Sequence, residues 1–177
     1  MDLLEHKTLL ILLFAVILNI AVFILLQQLN TFVHGDMYDY GLIFSYEWAY
    51  GVWHYNLSCW TFIIGATAFA AVAMVPHYMI SKEKTLPSYF LVIVGFLLPA
   101  LACVYEGLSI FYLNQIDNIV RNSLFNFGIP ASFDWSVTYD PLMGATYTLM
   151  TIALVVLIIP AVRALGIIKI DIVNEDE

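Results

Sequence analysis

Residues 9–29 read LLILLFAVILNIAVFILLQQL, a run without one charged side chain. Its length matches the twenty or so apolar residues that cross about 30 Å of hydrocarbon. An unpaired backbone group is costly in lipid, so such a run must be helical. It is too long for the core of a signal peptide, and no A-x-A-like site follows it. It therefore reads as a retained membrane helix.

Three more segments have the same character, over about residues 57–80, 87–113 and 141–165. The whole chain is 62% hydrophobic and 11% charged, with a mean hydropathy of +0.88. A soluble domain is nearer half apolar and a quarter charged. The expected fold is an all-α integral membrane protein, a bundle of four transmembrane helices forming a single domain over residues 1–177.

Basic residues give the expected orientation. Lys7, Lys82, Lys84, Arg163 and Lys169 fall on one side of a four-pass chain, and only Arg121 falls on the other. By the positive-inside rule the chain is a multi-pass protein of the cell membrane with both termini cytoplasmic. Two structured loops, 30–56 and 114–140, then face outward, and SKEKT (81–85) forms a tight inner turn. Pro87 suits the first turn of the third helix, and Asp140-Pro141 reads as a cap and first-turn proline of the fourth. Pro99 and Pro160 fall inside hydrophobic segments and are expected to kink them. Within the second loop, Ile116, Ile119, Val120, Leu124 and Phe127 share a helical face opposite Asn114, Asp117, Asn118, Arg121 and Asn122. That pattern predicts a short amphipathic helix at the membrane surface, ended by Gly128 and Pro130.

Several chemistries are excluded. The net charge is −8, and six scattered basic residues make no phosphate-binding patch, so nucleic acid is not an expected partner. The chain has no Walker A loop, GxGxxG, GxSxG or HExxH. The run of in-membrane charges typical of an ion-coupled transporter is missing. Cys59 and Cys103 form no CxxC and read as buried inert thiols, a disulfide between the second and third helices being the lesser alternative.

Candidate sites concentrate in the first loop, NTFVHGDMYDYGLIFSYEWAYGVWHYN. His34, Asp36, Asp39, Glu47 and His54 offer imidazole and carboxylate ligands of the kind that hold copper, iron or zinc, although acidic loops are more often simply solvated. Haem is less favoured: His54 and His77 lie 23 residues apart, roughly 34 Å along a helix, which sets both at headgroup level. Tyr40, Phe44, Trp48 and Trp53, with Trp135 in the second loop, exceed an ordinary interfacial aromatic belt and suggest a surface that docks a partner. Glu106 in the third segment is a carboxylate at membrane depth, near the outer boundary by the expected span. It is a candidate to accept a proton, bind a quinone hydroxyl or pair with Arg121. Its ordinary alternative is a hydrogen bond to a nearby tyrosine or serine. Asn19, near the middle of the first segment, reads as a bridge between helices. Gly65, Ala66, Ala68, Ala70, Ala71 and Ala73 make the second segment a close-packing helix that can serve two neighbours.

The expected function is an integral subunit of a larger membrane complex, a respiratory or other oxidoreductase assembly. Its partners would be other membrane subunits, the bilayer and an extracytoplasmic protein domain. A membrane metalloenzyme, or a haem- or quinone-binding anchor with its site at the outer loop, is the alternative. No particular cofactor follows from the residues.

Overall fold

The computed structural model describes the backbone of residues 3–33, 46–82, 89–127 and 135–175, and the side chains of 7–33, 52–79, 89–122 and 138–166. Four helices account for nearly all of it: α1 (Leu3–Thr31), α2 (Tyr46–Lys82), α3 (Tyr89–Phe127) and α4 (Trp135–Glu175). Each contains a span long and apolar enough to cross a membrane: Lys7–Thr31, Val52–Met79, Tyr89–Asn122 and Thr138–Gly166. Leu10, Phe90 and Val162 are 62%, 71% and 58% exposed, an apolar exterior that water would penalise and lipid accepts.

Buried positions recur in alternating steps of three and four residues along every helix. On α1 they are Thr8, Leu12, Ala15, Asn19, Val22, Leu26 and Leu29, and on α3 Ala102, Glu106, Ser109, Leu113, Ile116 and Val120. A mean step of about 3.5 residues is the seam of a left-handed supercoil, in which side chains of one helix seat between those of the next. Polar residues therefore occupy regular seam positions, where the packing pattern alone would place leucine.

Neighbouring helices are antiparallel throughout. Thr8 on α1 meets Arg163 on α4, Asn30 on α1 meets Asn56 on α2, Cys59 on α2 meets Ser109 on α3, and Asp117 on α3 meets Tyr139 on α4. The helices form a square in which α1 packs on α2 and α4, and α3 on the same two, so α1 and α3 face each other across the diagonal. This up-down-up-down order puts both termini at one end of the bundle, here called the terminal end.

The helices are longer than the sequence predicts. α2, α3 and α4 have 37, 39 and 41 residues, or about 55–60 Å at 1.5 Å each, well beyond the hydrocarbon thickness. The stretch from Tyr46 to Asn56 belongs to α2, not to a loop. The amphipathic segment after Asn114 continues α3 without a break and does not form a separate helix. Its apolar side, Ile116 and Val120, is buried, and its polar side is tied to α4: Arg121 donates to both oxygens of Asp117 at 2.9 and 3.0 Å and to Asp140 at 2.8 Å. Tyr139 Oη donates to Asp117 at 3.0 Å. Asp140 and Pro141 consequently lie inside α4, not at its start. The inner turn 81–85 begins on the last residues of α2 and otherwise lies outside the described residues.

Prolines inside the helices leave carbonyls without their usual donor. Pro99 removes the N–H that would bond to the Gly95 carbonyl, and His77 Nε2 takes its place at 3.0 Å. Pro76 also lies within α2, directly before His77. At Gly65 an added Cβ would stand 2.3 Å from Tyr105 Cδ1, so only glycine admits the Tyr105 ring, which Phe62 and Phe69 flank edge-on at 5.3 and 5.1 Å.

Candidate functional site

Two apolar clusters fill the core. One, toward the far end, is built of large side chains such as Leu26, Val52, Ile63, Leu113, Tyr139 and Met150. The other, toward the terminal end, is built of small ones: Ala15, Ala70, Ala73 and Ala102, with Leu12 and Leu157. Seam order places four fully buried residues between them, Asn19 on α1, Ala66 on α2, Glu106 on α3 and Ala153 on α4. Alanine on α2 and α4 leaves the diagonal open to the two longer polar side chains of α1 and α3.

Glu106 lies at the midpoint of the Tyr89–Asn122 span, and Asn19 at the midpoint of Lys7–Thr31. The sequence reading put Glu106 near the outer boundary because it ended the third helix too early. Both residues are 0% exposed. The Asn19 side chain is the polar neighbour of Glu106, yet none of the four side-chain polar atoms of the pair makes a hydrogen bond of ordinary geometry. Cys59 on α2 and Cys103, one turn away on α3, are the other ionisable side chains close to Glu106. Cys59 and Ser109 bond to each other's backbone: Cys59 Sγ donates to the Ser109 carbonyl at 3.5 Å, and Ser109 Oγ to the Cys59 carbonyl at 3.4 Å. Arg121 is not a partner of Glu106, being held by Asp117 and Asp140 about four turns away. Both cysteines are free thiols, so no disulfide ties α2 to α3.

Beside this layer, a groove of about 360 Å3 opens outward between α1 and α2. Phe23, Ile64, Thr67, Ala68 and Ala71 line it with Asn19, so Asn19 borders both the groove and Glu106. Phe23 packs on Trp60 with ring centroids 4.9 Å apart.

The remaining sequence candidates are only partly placed. His34, Asp36, Asp39, Tyr40 and Phe44 lie outside the described residues. Glu47 and Trp48 fall in the first turn of α2 and Trp135 opens α4, their side chains also outside the described set. Glu47 and His54 share one helix, seven residues or roughly 10 Å apart along its axis. Trp53 is 53% exposed, and His54, also exposed, has its ring 5.9 Å from that of Tyr55. Among the described residues, no three His, Cys, Asp or Glu side chains are placed to share a metal ion. Sequence reasoning missed the pairing of Asn19 with Glu106 and the role of His77. Both depend on which helices are neighbours or diagonal, and spacing along one segment does not carry that.

No protein-family model matches the chain, and no curated protein or solved structure matches it either.

Proposed function

We propose that the protein is an integral subunit of a larger membrane complex, of the respiratory or other oxidoreductase kind, and that Glu106 is the group through which it handles protons. The observation that carries the subunit reading is the α1–α2 groove. Ala68, Ala71 and Thr67 line it on the outward face of α2, and small residues of this kind let a further transmembrane helix approach closely. α2 then packs on its own bundle through Ala66, Ala70 and Ala73 and on a partner through the opposite edge. The exposed Trp53 at the far end of the same helix extends that surface toward the aqueous side, where aromatic residues commonly anchor protein interfaces. The basic residues favour cytoplasmic termini in the cell membrane, with the far end outward.

Gentle extraction followed by sizing tests the reading. The protein is expected to elute with partner subunits, and Ala68→Leu with Ala71→Leu, which fills the groove, is expected to release them while the bundle stays folded. Elution of the wild type as a lone monomer would sink the proposal.

A quinone-binding anchor is the second reading, favoured by the same groove because it joins an apolar wall and the Phe23 ring to Asn19. Organic extraction of the purified protein decides it: a stoichiometric quinone supports this reading, and none removes it.

A further inference from the structure

Four of the five buried, unpartnered side-chain polar atoms among the described residues belong to Asn19 and Glu106. Such atoms are normally satisfied, and a concentration of them in one layer calls for an explanation. An isolated carboxylate in hydrocarbon is strongly disfavoured, so Glu106 requires either a positive charge close by or a proton of its own. Among the described residues no basic side chain forms an ion pair with it. Thr8 holds Arg163 near the terminal end, and His77 sits on the Gly95 carbonyl about three turns away. The other ionisable side chains close to Glu106 are Cys59 from α2 and Cys103 from its own helix, and neither brings a positive charge. A desolvated hard cation takes about six or more oxygen ligands. Two carboxylate oxygens and one amide oxygen fall short of that.

We propose that Asn19 and Glu106 form a proton-binding site at the centre of the bundle, an acid–amide pair spanning the α1–α3 diagonal. Glu106 as the neutral acid donates its O–H to Asn19 Oδ1, and Asn19 Nδ2 donates to the other Glu106 oxygen. Two reciprocal hydrogen bonds then use all four atoms. When the proton leaves, the Nδ2 bond remains, and Asn19 Oδ1 then faces a carboxylate oxygen that can only accept. The exchange moves one proton and no electron. It ties α1 to α3 by two bonds in one state and one in the other, so proton content sets how firmly the diagonal is held. Asn19 is the positioning residue. The small side chains of Ala66 and Ala153 keep the diagonal clear, and Asn19, itself buried, lies behind the floor of the groove. This deepens the proton-handling reading of Glu106 and does not depend on partner subunits.

Infrared difference spectroscopy on the full chain in lipid bilayers near neutral pH tests it. The wild type is expected to show a carboxylic-acid C=O band, lowered by hydrogen bonding and lost in Glu106→Gln. In Asn19→Leu the band should move up to the position of an unbonded acid. Should Asn19→Leu not accumulate, Asn19→Ser removes the second bond and must move the band in the same direction. Glu106→Gln replaces the acid by an amide that can make the same pair, and it is expected to melt with the wild type while Asn19→Leu melts lower. An absent acid band overturns the proposal, as does a band indifferent to both Asn19 variants. Melting that rises with sodium or potassium in the wild type but not in Glu106→Gln would also overturn it, by identifying a metal cation at the pair. A protein that shows the band yet runs as a monomer loses the subunit reading and keeps this one.

Discussion

At Gly95, in the second turn of α3, a backbone carbonyl loses its helical donor to Pro99 four residues on, and His77 from α2 replaces it. His77, which its sequence spacing sets at headgroup level, is thus a buried backbone cap between helices. Removing it leaves the carbonyl unpartnered, so His77→Ala should destabilise the bundle by about 1–3 kcal/mol. Pro99→Ala restores an N–H at the position that serves Gly95. The double variant His77→Ala with Pro99→Ala should therefore recover part of the loss in thermal melting. Equal loss with and without proline would show that His77 stabilises by packing alone. Gly65 is a second single-residue constraint, since the Tyr105 ring occupies the space where a Cβ would stand.

At the scale of the element, the far ends of α3 and α4 are joined by polar contacts. Arg121 spans Asp117 and Asp140, and its guanidinium lies 5.7 Å from the centre of the Tyr139 ring. Arg121 and Asp140 are each 45% exposed, so their ion pair contributes less than about 1 kcal/mol. Its consequence is local. Arg121→Ala is expected to speed amide hydrogen exchange across residues 114–127 with little change in the melting of the bundle. Exchange unchanged in that segment would show that burial of Ile116 and Val120 alone keeps α3 continuous. That this segment is helical was legible in the sequence, because Ile116, Ile119 and Val120 follow the helical period. Its continuity with α3 was not, because the Arg121–Asp140 contact joins residues on two different helices.

For the whole molecule, the up-down-up-down order places residue 3 and residue 175 at one end. Tags at the two termini should therefore be labelled by an impermeant reagent from the same side of the membrane, and in intact cells neither should react. Labelling of one terminus alone would contradict the bundle, and labelling of both in intact cells would reverse the proposed orientation. The number of membrane helices and their approximate centres were determined by the sequence itself, since only long uncharged runs can satisfy a backbone in lipid. The inward face of each helix was not, because lipid and core are equally apolar and the seam has no hydrophobic contrast with the exterior. Only tertiary structure decided that Asn19 neighbours Glu106, that α1 and α3 stand on a diagonal, and that His77 reaches Gly95. Those facts follow from packing four helices at an antiparallel register, which no single segment encodes.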